Sequence, residues 1–285
     1  MKTTQWFLRL VFVGSFFISA NPAVWAADSW VADSKTGCQI GWVSGSYNIT
    51  AASWSGSSVD GKAEGKGTLT VTLRNKDAKE LQGQGDAEMK AGKLDGKASV
   101  KWSDNSTYDG DYKAGICEGK GVYKWPNGQF YDGEWKSGKQ DGRGVSKLAT
   151  GQVYDGEWKD GKRSGKGVMK WPNGGIYEGD WANDTTNGHG RLEMFKNDIY
   201  DGDWKNGKRD GKCVYKSPDG TTYEGDAKND KLVGKGKITY PNGSVYEGDV
   251  DGVRPSGYGV LKDPSGKVLY QGERNNTANN SAEQF

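Results

Sequence analysis

The sequence lacks a basic excess, long hydrophobic runs and a usual set of metal-binding residues. Hydrophobic residues make up only 33% of the 285 residues, which is too little for a large helical or doubly wound core. The 39 lysines and arginines nearly balance the 37 aspartates and glutamates, whereas nucleic-acid binding rewards a basic surplus. This composition therefore argues against a nucleic-acid partner.

Histidine and cysteine are scarce. His189 is the single histidine, and the spacing of the three cysteines matches no zinc-ligand pattern. No nucleophile lies in a pattern with a general base, and segments such as "GKGTLTV" follow a hairpin turn, where a phosphate loop needs the start of a helix. We therefore predict no catalytic residue, no metal site, no cofactor and no enzyme activity.

The one apolar run near the start of the chain is short. Lys2 and Arg9 give a cationic start, residues 10–18 are apolar, and small side chains precede a cut after Ala26. The alternative is a membrane anchor, but the run is about half of the roughly 20 residues that a spanning helix needs. We predict that residues 1–26 are a cleaved signal peptide and that the protein is periplasmic or secreted.

A secreted chain meets an oxidising environment in which disulfides persist. The sequence does not give the connectivity of Cys38, Cys117 and Cys213, and an odd number leaves one over. A bridge between Cys38 and Cys117 is the pairing that we expect.

Glycine and aromatic residues are abundant instead, with 45 glycines and 12% aromatics, and they recur in register. Residues 27–53 form a lead-in without a clear repeat, residues 54–107 hold degenerate copies, residues 108–273 hold regular copies of 23 residues, and residues 274–285 read as a disordered tail. The regular copies begin at Tyr108, Tyr131, Tyr154, Tyr177, Tyr200, Tyr223 and Tyr246.

Each copy has the period of two that is typical of a β-strand. In the copy "YDGEWKDGKRSGKGVMKWPNGGI", Tyr154, Gly156 and Trp158 share one face, and Asp155 and Glu157 share the other. "DG" predicts a hairpin turn, and "PNG" turns the chain into the next copy. We therefore predict an all-β protein in which residues 54–273 form one continuous antiparallel sheet of hairpins.

The two faces have different expected roles. Glycine weakens a strand, so its recurrence indicates that Tyr and Trp rings lie on bare backbone at glycines of adjacent strands. On the other face, acids such as Asp155 and Glu157 are expected to meet Lys166 and Lys170 of the facing strand. Such exposed pairs contribute at most about 1 kcal/mol each and indicate a solvated face rather than paired catalytic carboxylates.

The pattern of Tyr, any residue, Gly, any residue and Trp, followed by "GK" and "GxG", closely resembles the MORN family (membrane occupation and recognition nexus repeats). The resemblance implies an elongated, twisted antiparallel meander of hairpins that serves interaction or scaffolding, in some members at membranes or lipid. The chain departs from the pattern at Ala227 and Val250, which replace the second aromatic residue.

These observations leave two functional hypotheses. The first is a non-catalytic scaffold of the cell envelope that docks a protein partner or a second copy of itself through an aromatic sheet face. The alternative is a surface that binds membrane lipid head groups or cell-wall glycan. For a single ring, a role in holding the array together is favoured, but a single-layer sheet is expected to leave much of its aromatic face without a second layer to cover it. The predicted binding residues are Tyr131, Trp135, Tyr154, Trp158, Tyr177, Trp181, Tyr200 and Trp204.

Overall fold

The computed structural model describes residues 29–42, 47–195 and 197–274, and within them the chain is all β with no helix. The predicted signal peptide lies outside the described residues. The predicted tail does too, apart from Arg274, which ends the last strand.

Seven strands precede the regular copies. They are β1 (Ser29–Ala32), β2 (Gln39–Trp42), β3 (Tyr47–Trp54), β4 (Ser57–Val59), β5 (Lys62–Asn75), β6 (Glu80–Lys90) and β7 (Lys93–Trp102).

Fifteen strands follow, and each regular copy contributes two of them. They are β8 (Thr107–Lys113), β9 (Ile116–Lys124), β10 (Phe130–Lys136), β11 (Lys139–Lys147), β12 (Val153–Lys159), β13 (Lys162–Lys170), β14 (Ile176–Ala182), β15 (Thr185–Glu193), β16 (Ile199–Lys205), β17 (Lys208–Lys216), β18 (Thr222–Lys228), β19 (Lys231–Thr239), β20 (Val245–Asp251), β21 (Arg254–Lys262) and β22 (Val268–Arg274).

From β5 to β22 every strand pairs antiparallel with the next one along the chain. This is the predicted continuous meander of hairpins. Its turns follow the sequence signals, because Asp160 and Gly161 both have positive φ (50° and 82°), as a two-residue hairpin turn of type I′ requires. The predicted fold class is confirmed.

Each hairpin has a β-bulge that alternation alone does not reveal. In the β12–β13 hairpin the register shifts between Gly156 and Glu157, and the facing Gly165 has φ of 59°. A side chain is strained in that backbone conformation, which explains the glycine at this place in most copies.

The residues before the regular copies form a cap. β1 and β2 make a hairpin, and β2 is anchored to the turns of the first repeats, with Gln39 N–H donating to Gly61 O (2.7 Å) and Gly41 N–H donating to Gly92 O (2.7 Å). The lead-in is thus part of a packed unit. Its cap core comprises Cys38, Ile40, Ile49, Trp54, Ala63, Leu69, Val71, Leu73, Ala87, Met89, Leu94, Ala98, Val100 and Trp102.

Candidate binding face

The opening tyrosine of each regular copy is buried and fixed by its hydroxyl. Tyr154 is 1% exposed, and its Oη donates to Glu157 O at 2.9 Å. Tyr131 and Tyr177 make the same bond to Glu134 O (2.9 Å) and Asp180 O (3.0 Å). Burial raises the pKa of all three phenols above the ordinary value, so they remain neutral donors at physiological pH.

The tryptophan four residues later joins one copy to the copy before it. Trp158 Nε1–H donates to Gly144 O (3.0 Å), and Trp181 Nε1–H donates to Gly167 O (3.2 Å). Trp135 and Trp204 bond Gly121 O and Gly190 O, both at 2.9 Å. Each indole therefore satisfies a backbone carbonyl of the preceding hairpin.

The rings form one continuous column. Tyr154 meets Trp158 of its own copy and Trp181 of the next copy edge-to-face, with centroids 5.3 Å apart in both pairs. The same geometry links the copies from Tyr131 to Trp204. Edge-to-face pairs stabilise by about 0.5–1.5 kcal/mol each beyond the area that they bury. The column stops after Tyr200 because the next copy has Ala227 in place of tryptophan.

Glycine at the facing positions makes room for these rings. A Cβ at Gly167 would lie 2.3 Å from Tyr154 Oη, and a Cβ at Gly144 would lie 2.4 Å from Tyr131 Oη. The predicted contact between rings and bare backbone is present. Cys213 takes the equivalent place in a later copy, where burial raises the pKa of its thiol to about 11 and Tyr200 Oη is a hydrogen-bond partner.

The expectation that a single-layer sheet leaves this aromatic stripe uncovered is wrong. All eight predicted binding residues are buried, with exposed fractions between 0% and 8%. The rings shield one another and are covered by side chains of the second strand of each copy, an effect of packing between copies that the alternation within one copy does not show. The eight are Tyr131, Trp135, Tyr154, Trp158, Tyr177, Trp181, Tyr200 and Trp204.

What this face does expose is a second row that the sequence prediction missed. It lies seventeen residues after the opening tyrosine, immediately before the turn between copies. We call it the rim row, and it comprises Trp125, Leu148, Trp171, Met194 and Tyr240, all half-buried except Leu148, which is 39% exposed.

Two neighbouring members of the rim row, Trp171 and Met194, approach each other across a turn. A Cβ at Gly175 would lie 3.4 Å from both Trp171 Cε3 and Met194 Sδ, so the two side chains flank the same glycine. Trp125 packs on Tyr123 with centroids 4.5 Å apart. A sequence signal was available, because an aromatic residue precedes "PNG" at Trp125, Trp171 and Tyr240.

The opposite face carries charge, with partners other than those predicted. Lys166 Nζ pairs with Asp180 Oδ1 of the next copy (2.7 Å), not with Asp155 or Glu157 of its own hairpin. Lys212 likewise reaches forward to Asp226 (2.8 Å). One pair, Lys262 with Glu247 at 3.3 Å, stays within its hairpin as predicted.

The acid three residues after the opening tyrosine of a copy has a further role at the bulge. Glu157 Oε1 accepts the backbone N–H of Lys166 (3.2 Å), and Glu134 Oε1 accepts that of Arg143 (3.1 Å). His189 lies on this charged face, with Nε2 3.0 Å from Asp201 Oδ1, and its backbone N–H donates to Asp180 Oδ2. These carboxylates satisfy backbone donors that the bulge leaves without a ladder partner.

The predicted Cys38–Cys117 disulfide is wrong. All three cysteines are free, and Cys38 lies in the cap core while Cys117 packs against Tyr108 and Tyr112 of the regular copies. Burial raises the pKa of the Cys117 thiol to about 11. Among the described residues, no group of three or more His, Cys, Asp or Glu is placed to hold a metal ion, and no helix is long and apolar enough to cross a membrane.

The hairpins are nearly identical, lie side by side in one sheet and are linked by aromatic contacts between copies and by turns. This architecture defines a β-repeat protein of the kind that serves binding and interaction. The family model for the MORN repeat matches eight segments, at residues 54–70, 108–130, 131–153, 154–176, 177–197, 200–222, 223–245 and 246–268. The chain belongs to the MORN-repeat family, which is generally non-catalytic. A search of curated proteins found no significant match.

Proposed function

We propose that this chain is a non-catalytic scaffold of the cell envelope that docks a protein partner, or a second copy of itself, through the aromatic face of its repeat array. The observation that carries the proposal is the rim row, a row of apolar side chains that runs from Trp125 to Met194 and, after an interruption at Ser217, continues with Tyr240. Apolar strips of this length on a repeat array favour an extended interface. The location in the envelope rests on the leader sequence alone.

In this proposal the eight predicted binding residues stabilise the docking face from within the core and do not contact the partner directly. Each opening tyrosine and its tryptophan fix the strands from which the rim side chains project, and the rigid column reduces the entropy that a partner must overcome on binding. Direct contact with a partner is assigned to the rim row because its members retain accessible side-chain surface.

A pair of matched variants tests the proposal. Trp125→Ser with Trp171→Ser removes two rim rings, and Ile176→Ser with Val214→Ser removes two aliphatic side chains from the charged face, where they are 38% and 48% exposed. We expect the rim variant to weaken self-association or partner capture at least about 30-fold, since a truncated aromatic anchor commonly costs about 2 kcal/mol or more. The control variant should bind as the parent does.

The measurements are sedimentation equilibrium of the purified protein and cross-linking in cells followed by identification of the captured protein. Both variants must first show a melting temperature within a few degrees of the parent. Equal loss of binding in the two variants, or none in either, would contradict the proposal. Sedimentation with liposomes or peptidoglycan in the absence of any protein, abolished in the rim variant, would favour the alternative ligand class instead.

A further inference from the structure

At the capped end of the array, a strand is already docked on the turns of the hairpins. Strand β2 crosses the first two repeat turns, where Gln39 N–H donates to Gly61 O (2.7 Å) and Gly41 N–H donates to Gly92 O (2.7 Å). The two donors are two residues apart, so one side of an extended chain binds one turn carbonyl in each copy. The cap thus shows how a strand binds to this edge of the sheet.

The next three turns present the same carbonyls without such a strand. No donor within the described part of the chain reaches the carbonyl of Gly115, Gly138 or Gly161. The run ends at the following turn, where the NH2 group of Arg163 donates to Asp184 O at 2.9 Å. We call the carbonyls of Gly115, Gly138 and Gly161 the turn-carbonyl row.

These three turns repeat the geometry of the turn that β2 covers. Gly92 N–H donates to Ala63 O of the preceding copy at 2.9 Å, and the N–H groups of Gly115, Gly138 and Gly161 donate to equivalent carbonyls at 2.7, 3.0 and 2.8 Å. The residue before each of these three glycines donates its N–H to a carboxylate of the preceding copy, namely that of Asp95, Glu118 or Asp141. The backbone of this rigid edge therefore offers a ligand only acceptors.

The side chains that flank the turn-carbonyl row are mostly cationic. Lys139 Nζ lies 3.9 Å from Asp160 Oδ1, and Lys159 Nζ lies 3.0 Å from Asp141 Oδ2. Three further lysines flank the same turns, are exposed and have no ion pair among the residues that the structure describes; they are Lys113, Lys136 and Lys162. A chain that binds to this edge therefore gains from acidic side chains.

We propose that the turn-carbonyl row binds an extended acidic segment of a partner protein, which continues the docking of β2 along the array. The segment runs in the direction of β2 and donates the N–H groups of alternate residues to the three carbonyls. In β2 the donating Gln39 is exposed and the intervening Ile40 is buried, so the acidic residues are assigned to the donating places. This surface is separate from the rim row and does not rest on the function proposed above.

Fluorescence anisotropy of a labelled peptide with the intact protein tests the site. The probe is a seven-residue peptide of alternating glutamate and valine, blocked at both ends. N-methylation of its glutamate nitrogens removes the donors assigned to the turns and should weaken binding at least about tenfold. N-methylation of its valine nitrogens is the matched control and should change the affinity less than about twofold. Lysine in place of glutamate should weaken binding at least about tenfold.

Two protein variants complete the test. Gln140→Arg with Gly161→Asp keeps the net charge and copies the contact by which Arg163 covers Asp184 O, so it should weaken binding of the unmethylated peptide about fivefold or more. The rim variant, Trp125→Ser with Trp171→Ser, should bind this peptide as the parent does.

The proposal is overturned by the absence of saturable binding, by equal effects of the two methylations, or by equal binding of the lysine peptide. Unchanged affinity in the Gln140 and Gly161 variant, or lost affinity in the rim variant, would overturn it too. The methylated peptides are compared on the parent protein, so their result holds even if a variant unfolds.

Discussion

At the scale of the residue, the array depends on a contact between the opening tyrosine ring of each copy and a position on the facing strand that is glycine in most copies. Tyr154 Oη donates to Glu157 O, and Gly167 leaves free the space next to the hydroxyl, where a Cβ would lie 2.3 Å from the oxygen. The entropy that glycine costs in a strand, about 0.5–1 kcal/mol relative to alanine, is offset by burial of the ring and by its hydrogen bond. Tyrosine and glycine are therefore one structural unit, repeated along the chain.

Gly167→Ala should destabilise the protein by about 1–3 kcal/mol, because the new Cβ overlaps the Tyr154 hydroxyl and forces ring or strand to move. The measurement is the shift of the urea unfolding midpoint. Gly175→Ala is the matched control, since a Cβ there meets its nearest atom, Asn173 Oδ1, at 3.3 Å. Equal effects of the two substitutions would contradict the ring contact as the cause, because alanine alone lowers the entropy of the unfolded chain and should stabilise both positions.

At the scale of the element, the turns within the regular copies differ at their second place. Most carry glycine there and the last copy has Val253, but at Asp184 and Asp230 an arginine of the preceding copy holds the turn. Arg163 Nε donates to Asp184 Oδ1 (3.1 Å) and its NH2 donates to Asp184 O (2.9 Å). Its guanidinium also lies 4.6 Å from the Trp181 centroid and so packs against the ring column. We call this contact between Arg163 and Asp184 the Arg163 clasp.

This pairing predicts a coupling that a double-mutant cycle measures. Arg163→Gln should cost about 1–2 kcal/mol in the parent, because it leaves the half-buried Asp184 without its charge-assisted bonds. The same substitution combined with Asp184→Gly recreates the pair found at Gln140 and Gly161, where the turn N–H donates to Gln140 O at 2.8 Å. Its cost should then fall below about 0.5 kcal/mol. If the free-energy costs of the Arg163 and Asp184 substitutions simply add, the two residues are not coupled and the proposed contact does not stabilise the turn.

The cap has an acid-sensitive anchor at Asp33. This carboxylate is 2% exposed, and burial alone would raise its pKa, but N–H groups of Trp54, Lys35 and Thr36 donate to it and hold the pKa below the ordinary value. A depressed folded-state pKa contributes stability above the unfolded value of about 3.9, and that contribution disappears as pH falls through the folded-state pKa.

We therefore expect the cap to loosen below about pH 4 while the regular copies persist. Amide hydrogen exchange, compared at pH 6 and pH 3.5 after correction for intrinsic rates, should show lost protection at Trp54 before the strands of the regular copies. Asp33→Asn should lose protection at Trp54 already at pH 6 and remove most of its pH dependence. Unchanged protection in that variant would contradict the anchor.

The hairpins and their turns could be predicted from the sequence, whereas contacts between neighbouring copies could not. Strand alternation and the "DG" and "PNG" turns predicted the hairpins because both signals are local to one copy. The burial of Trp158 and Trp181, the forward ion pair of Lys166 and the Arg163 clasp all arise between copies. The cap was not predicted because the sequences of β1 and β2 do not recur along the chain, and repeat spacing was the signal on which the strand prediction relied.

At the scale of the whole molecule, each hairpin packs on its neighbours, and the core follows the array instead of closing into a sphere. The fourteen strands from β8 to β21 span about 65 Å at roughly 4.8 Å per strand. Small-angle scattering should therefore give a pair-distance distribution with a long tail. A symmetric distribution typical of a compact sphere of this mass would contradict the open array.

In the function proposed above, the rim row, supported by the buried ring column, is the surface that meets a partner. Hydroxyl-radical footprinting tests it most directly when the protein in intact cells is compared with dilute purified protein. We expect Trp125, Trp171 and Tyr240 to be labelled in the dilute protein and protected in cells. Ile176 and Val214 on the charged face should be labelled equally in both. Protection of Ile176 and Val214 with the rim rings still labelled would place the interface on the charged face and exclude the rim row as the docking surface.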